Sequence, residues 1–278
     1  VTSNRRAGQA ALIACLTIVL ILALVPLALM LVVSLKDNVQ YQTSPVLPTF
    51  PLHGENYVSA LTFLAPHFLW TFVVIAVSIA ANLVTSSWAA YALARYRFPG
   101  RQLVFWGVTG LMFVPTLLVL YPLYLWSVGL GLRDLVGLAV SYWVLGHCYS
   151  VFLLTNAFRG LSEEYFEAAR MDGAGHFIIW WRIVLPLGRT MITTLALMML
   201  IWIYTNDYVW QYVMNGAAKY QMIPVVVRGL GQSGSGGSDL NHGLESAGYI
   251  VASAPLLVAF ALASRAFVRG LTSGGTKG

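Results

Sequence analysis

Charge is what this chain has least of. Only 9% of its 278 residues are Asp, Glu, Lys or Arg, against roughly 25% in an ordinary soluble domain. Water is therefore not the main solvent of its surface. The 10 acids are outnumbered by 16 bases and lie mostly outside the apolar runs. The two cysteines, Cys15 and Cys148, both sit inside apolar runs, where a buried thiol is the ordinary state. Two such residues make neither a disulfide framework nor a metal site, so no metal ligand is assigned. No glycine-rich stretch is followed by Lys-Ser or Lys-Thr. The chain thus lacks the loop that cradles nucleotide phosphates, and it is expected to hydrolyse no ATP and to bind no cofactor of its own. Neither His147 nor Asp207 is joined by a paired acid, base or nucleophile, so a membrane enzyme has no catalytic residue to name.

Apolar runs fill the rest. Hydrophobic residues are 58% of the chain, gathered in six stretches of about the 20 residues that a bilayer crossing needs. The spacing predicts helices at approximately 8–35, 68–94, 103–126, 135–158, 190–214 and 245–268. The expectation is an all-α integral membrane protein with six transmembrane helices in one domain, 1–278. The first run continues past Pro26 to Lys36, longer than the apolar part of a cleaved signal peptide, so it is expected to stay as a membrane helix. Prolines 115 and 122 in the third run predict kinks beside protein or a path, since the backbone groups they free need partners.

The basic residues orient the bundle. Twelve of the 16 fall before the first run, after the second, after the fourth and after the last; only Lys36, Arg133, Lys219 and Arg228 fall in the intervening loops. By the positive-inside rule, both termini and the segment 159–189 are cytoplasmic in the inner membrane. The net charge of +6 is then a topology signal and not a footprint for nucleic acid.

The segment 159–189, RGLSEEYFEAARMDGAGHFIIWWRIVLPLGR, is a long hydrophilic insert between two apolar runs. Ser162 can cap a helix starting near Glu163, with Glu163 and Glu164 at the positive end of its dipole and Leu161 stapled onto Phe166. Within that helix Glu163, Glu167 and Arg170 share one face, while Phe166, Ala169 and Gly173 share another. Gly173 and Gly175 supply the left-handed residue that ends the helix, a second apolar segment follows from Phe177, and Pro186 stops it. The outcome is a compact knob of two helices around a glycine elbow.

Glu167-Ala168-Ala169, Gly173, Ile183 and Leu185-Pro186 match the EAA motif of bacterial ABC import permeases at all seven fixed positions. From average composition such a match arises by chance on the order of once in a hundred million starting positions. The resemblance implies the type I ABC importer permease fold, in which this loop docks into a separate ATPase. It assigns ATPase coupling to Glu167, Ala168, Ala169, Arg170, Asp172, Gly173, Ile183, Leu185 and Pro186. It also implies the partners: an ABC ATPase dimer carrying ATP and Mg, a homologous second permease or another copy of this one, and an extracellular substrate-binding protein or lipoprotein, all around a lipid-embedded bundle.

The turn RYRFPG at 95–100, the Gly-Leu link at 129–132 and the tail 269–278 resemble the carbohydrate, maltose-type group of that family, which would make Lys277 a further ATPase contact. A Trp/Tyr-Asn-Asp cluster in the fifth run resembles it too. Trp202, Tyr204, Asn206, Asp207 and Trp210 are the candidates for a translocation path, because aromatic faces stack on sugar rings and amides or carboxylates bind hydroxyls. An intramembrane aspartate is costly unless it faces protein or water; an interfacial aromatic belt is the plainer explanation of the same residues. Two other readings stand beside the di- or oligosaccharide importer: a permease of the same family for glycerol phosphodiesters or polyols, and an ion-coupled secondary transporter using Asp207. The outer loop before the sixth run is expected to carry a brief strand-like stretch in KYQMIPVVVRGL, and Tyr57, Ala60, Leu61 and Leu64 to form a short helix along the membrane surface.

Overall fold

The computed structural model describes residues 2–132, 134–206, 208–214, 221–233 and 240–273, with the side chains of 2–7, 206, 208, 232–233 and 262–273 outside that description. Among them the regular structure is entirely helical. In chain order the helices are α1 Thr2–Ser34, α2 Asn38–Thr43, α3 Glu55–Arg95, α4 Arg101–Leu111, α5 Thr116–Gly129, α6 Leu135–Arg159 and α7 Glu164–Met171. There follow α8 His176–Ile179, a π-helical turn Trp180–Val184, α9 Leu185–Leu187, α10 Arg189–Asn206, α11 Tyr208–Met214, α12 Ile223–Ser233 and α13 His242–Ser273.

Four helices are long and apolar enough to cross a membrane, and the number rises to six if each of two bent pairs is one span. The bends have local causes. Pro115 has no N–H to continue a helix, so α4 closes in three turn bonds, Met112 N to Thr109 O, Phe113 N to Gly110 O and Val114 N to Leu111 O, at 3.1 to 3.2 Å. The chain then re-enters α5 at 100°. Pro122 sits inside α5. The second bend, 74° between His176–Leu187 and Arg189–Thr205, falls at Gly188.

By contacts the chain forms two compact units, 1–66 with 226–254, and 67–225 with 255–278. In the first, Asn56 Nδ2 donates to the carbonyls of Ser34 and Lys36 at 3.0 and 2.9 Å. Lys36 is only 1% exposed and its ammonium donates to the carbonyls of Ser44 and Leu47. Ala60, Leu230, Leu244 and Ala247 make its apolar core. Two expectations change here. Tyr57, Ala60, Leu61 and Leu64 belong to the first turns of α3, whose geometry runs on through Pro66, so they form no separate short helix; Ala60 and Leu64 pack inward while Leu61 stays 54% exposed. The run expected as strand-like is α12: Ile223, Val226, Val227 and Leu230 are buried at helical spacing, and that period overrides the strand preference of three successive valines.

In the second unit α3 and α6 are joined by a polar ladder inside the apolar bundle. Ser78 Oγ donates to Ala139 O at 3.2 Å, Asn82 Nδ2 to Trp143 O at 3.0 Å, and Trp143 Nε1 to Thr85 Oγ1 at 2.9 Å. Such bonds satisfy side chains that lipid could not. Asp134 caps α6, accepting from Val136 N and Gly137 N.

Candidate functional site

The insert between α6 and α10 folds as a knob against the ends of α3 and α6. Its first helix, α7, starts at Glu164 with Glu163 at the cap position. No side chain caps it; the Glu163 carbonyl itself accepts from Phe166 N and Glu167 N at 2.9 and 3.0 Å, so the cap expected of Ser162 is not used. The helix ends at Gly173, one of the two glycines expected there, whereas Gly175 is extended at φ −69° and opens α8. Gly173 has φ +74°, its N–H bonds Arg170 O at 3.0 Å, and Ala174 N–H bonds Ala169 O at 2.9 Å. These are the paired bonds of a Schellman ending, which uses up carbonyls the helix would leave bare.

Periodicity then sorts the loop into two faces. Phe166 and Ala169 of α7, Ile179 of α8, and Trp180 and Val184 of the π turn are buried with Ala90 and Tyr91 of α3, Leu154 and Phe158 of α6 and Leu195 of α10. Leu161, Ile183 and Leu185 pack against that cluster, and the Trp180 indole donates to Ser87 Oγ at 3.2 Å. Pro186 does not stop the segment, since helical geometry persists to Leu187; the change of direction comes at Gly188, where an added Cβ would lie 2.6 Å from the Phe158 ring.

The other face is open. Glu167, Ala168, Arg170, Asp172, Gly173 and Pro186 are exposed, as are Met171 at 88% and Phe177 and Trp181 at 58% each. Among the described residues no cation lies within salt-bridge distance of Glu167 or Asp172. Arg170 meets Glu163 at 3.3 Å, seven residues back on the same face.

One residue of this site carries no local signal in the sequence. Arg95, the last residue of α3, donates to Glu163 Oε2 at 2.7 Å, to the Phe158 carbonyl at 2.7 Å and to the Leu161 carbonyl. Its guanidinium also lies 4.1 Å from the centre of the Phe166 ring. Its place in a basic turn marks an end of a membrane helix but not a tie across 68 residues of sequence.

Of the residues expected on a translocation path, the three whose side chains are described, Trp202, Tyr204 and Trp210, do not line one cavity. Trp202 lines a cavity of about 270 Å³ with Thr116, Gly146, Tyr149, Met198 and Met199, and its ring meets Tyr142 edge-on at 6.0 Å. Tyr204 is buried, its ring stacked on Phe72 at 6.3 Å, and Trp210 is buried as well; neither lines that cavity. The side chain of Asn206, and all of Asp207 and Lys277, lie outside the described residues. A second cavity of about 280 Å³ shares Thr116, Leu145 and Tyr149 and opens where α4 breaks from α5. Gln211 on α11 is 2% exposed with neither amide atom hydrogen-bonded. Thr116 and Gln211 escaped the sequence reading because each is a single polar residue in an apolar run, and Tyr149 because its neighbours His147 and Ser150 form no motif with it.

Comparison with known proteins bears on all of this. The family described as binding-protein-dependent transport system inner membrane component matches residues 82–273. The alpha-glucoside transport system permease protein AglG of Rhizobium meliloti is 32% identical over 242 residues, covering 85% of this chain and 63% of that protein. The maltodextrin transport system permease protein MdxG of Bacillus subtilis is 34% identical over 219 residues, 74% of this chain and 73% of that one. The sn-glycerol-3-phosphate transport system permease protein UgpE of Brucella abortus is 31% identical over 205 residues, 73% and 71% of the two chains. A chain in the crystal structure of a bacterial ABC transporter involved in the import of the acidic polysaccharide alginate superposes with a TM-score of 0.81, at 20% identity, over 94% of this chain and 96% of that one.

Proposed function

The chain belongs to the family of binding-protein-dependent transport system inner membrane components, and on that premise we propose that it is the permease subunit of an ATP-driven importer of di- or oligosaccharides. The observation that carries the proposal is the two-faced knob: one face fused to the ends of α3, α6 and α10, the other open and offering Glu167, Ala168, Arg170, Asp172 and Met171. A surface of that kind is built to be moved by something docked on it.

In this reading each bent pair is one span, the bundle has six spans in one domain, and both termini and the knob are cytoplasmic, as the distribution of basic residues supports. A separate ATPase dimer holds ATP and Mg and receives Glu167 and Asp172 with the rest of the open face, and Lys277 adds a contact from the tail. Two ATPase clefts call for two knobs, hence a second permease, either a homologue or a copy. An extracellular binding protein delivers the substrate. When the ATPase closes, the knob is displaced, and because its inner face is buried in one apolar cluster with α3, α6 and α10 it passes the displacement on instead of absorbing it, as close-packed interiors do. The force reaches α3 and α6 through Arg95 and the Phe158–Phe166 cluster, and α10 through Leu195 and the bend at Gly188.

The carbohydrate class rests on the alpha-glucoside and maltodextrin permeases among the relatives and on a tryptophan at the cavity beside α10. The similarity to a glycerol-3-phosphate permease supports a second reading, in which the same machine carries a polyol phosphate.

Purification of the chain with its partners from native membranes, followed by an ATPase assay against alpha-glucosides, maltodextrins and glycerol 3-phosphate, tests both readings. Sugar-stimulated hydrolysis with an ATPase, a second permease and a binding protein in the complex is expected. In the same assay Gly173→Val should abolish stimulation while the chain still inserts, because a β-branched residue does not tolerate φ +74°; Gly173→Asn should retain it. Transport that survives ATP depletion overturns the proposal and returns attention to Asp207.

A further inference from the structure

Away from the knob's open face, the end of α6 and the start of α4 bring together positive charge that no carboxylate among the described residues pairs with. Arg159, in the last turn of α6, lies over the Phe105 ring with its guanidinium carbon 4.3 Å from the centroid. Arg101 opens α4 one turn before Phe105, the ring on which Arg159 lies, so the two arginines occupy the same corner. Among the described residues no carboxylate lies within salt-bridge distance of either. Among the described residues the Arg101 guanidinium donates to the Tyr96 carbonyl, at 3.1 Å, and its backbone N–H to the Phe98 carbonyl, at 3.3 Å.

The start of α4 adds to the imbalance. Gly100 is its cap residue and has no side chain to accept from the first-turn N–H groups, and the turn contains no acid. A helix N-terminus carries partial positive charge and favours an anion. Here it carries an arginine, with a second arginine beside it. The C-terminal pole of α6 offsets part of the charge of Arg159, which leaves Arg101 and the start of α4 as the surplus that an anion would relieve.

What surrounds the corner identifies the anion. Leu103 is 78% exposed, Val104 48% and Trp106 61%, all in the first two turns of α4. An apolar apron with a tryptophan at its edge is the composition of a membrane interface, whereas the open face of the knob carries the carboxylates of Glu167 and Asp172. We propose that Arg101, Arg159 and the N-terminus of α4 form a binding site for the phosphate headgroup of an anionic phospholipid of the cytoplasmic leaflet, with its acyl chains against Leu103, Val104 and Trp106. The leaflet rests on the orientation given above; the juxtaposition of charge and apolar surface does not. Arg159 both holds the lipid and packs on α4, so an occupied site stiffens the contact between α4 and α6 next to the knob.

The test uses the assembled transporter in nanodiscs of phosphatidylcholine doped with phosphatidylglycerol, with retained lipid read by native mass spectrometry. Wild type should keep phosphatidylglycerol over phosphatidylcholine. Arg101→Gln and Arg159→Gln should each lower that retention about fivefold, the worth of one arginine near a charged lipid surface. Lysine at both positions should keep most of it, and Arg97→Gln, which alters an exposed arginine in the same turn, should leave it unchanged. Inorganic phosphate in excess should not displace the lipid. Equal loss from Arg97→Gln would mean a diffuse surface attraction, displacement by phosphate a site for a soluble anion, and loss of the ATPase subunit at unchanged lipid retention a protein contact; each overturns the proposal. Co-purification of the ATPase is scored separately, so a failure of the importer reading is not confused with a failure of the lipid site.

Discussion

Arg95 and Glu163 form an ion pair at 2.7 Å with unequal partners, since the arginine side chain is 9% exposed and the glutamate 50%. An exposed carboxylate contributes little through such a pair, typically under about 1 kcal/mol. Arg95 also donates to two part-buried backbone carbonyls, of Phe158 and Leu161, the first of which also accepts from Leu161 N at 3.3 Å. A hydrogen bond from a charged donor is worth about 1.5–3 kcal/mol, so the two ends of the pair should respond differently to substitution. Arg95→Ala should lower the thermal stability of the knob and reduce substrate-stimulated ATPase activity at least tenfold, while Glu163→Gln changes either by less than twofold. Equal effects would show that the ion pair, and not the carbonyl clamp, holds the knob. Arg95→Lys keeps the charge but loses the planar fork that spans two acceptors, and it should resemble alanine more than wild type.

The knob, with its elbow, was readable at the level of the element because its signals are local. Gly173 sits where a helix needs a left-handed residue, and the two Schellman bonds follow from that one position. What could not be read is whatever depends on distant chain: the clamp by Arg95, the burial of Ala60 and Leu64 at the start of α3, and the helical state of 223–233, where packing outweighed the local preference of the valines. The size of the break at Pro115 was hidden for a related reason. A proline announces a lost hydrogen bond but not the angle at which the next helix finds its neighbours. Gly188 belongs with these, because its need for glycine is imposed by Phe158 from the end of α6. A Cβ there would meet the fully buried Phe158 ring at 2.6 Å, and overpacking of that kind costs about 1–3 kcal/mol. Gly175, whose added Cβ would meet nothing within 4 Å, is the control. Thermal unfolding in detergent should show Gly188→Ala well below wild type and Gly175→Ala within experimental error of it.

For the whole molecule, the knob and the cavity lined by Trp202 stand at two parts of α10 and its approach, and the proposed mechanism requires that they be separable. A knob defect should uncouple ATP hydrolysis from transport whatever the substrate, whereas a cavity defect should depend on what is carried. The cavity of about 270 Å³ is slightly smaller than the usual small-molecule site, and two methionines, Met198 and Met199, line it with flexible side chains that can make room. Trp202 supplies the flat face against which a sugar ring would pack, while its edge-on contact with Tyr142 holds the indole in place. Trp202→Ala should leave assembly with the ATPase and basal hydrolysis at wild-type levels and reduce sugar uptake more than tenfold, with Trp202→Phe recovering part of it. A parallel loss of assembly would make the tryptophan a packing residue of the bundle and move the path to the corner of Gln211, whose amide is buried without a hydrogen bond. Full uptake by Trp202→Ala would remove the cavity from the path altogether, leaving the knob's role untouched, because its inner cluster reaches α10 at Leu195, about two helical turns before Trp202.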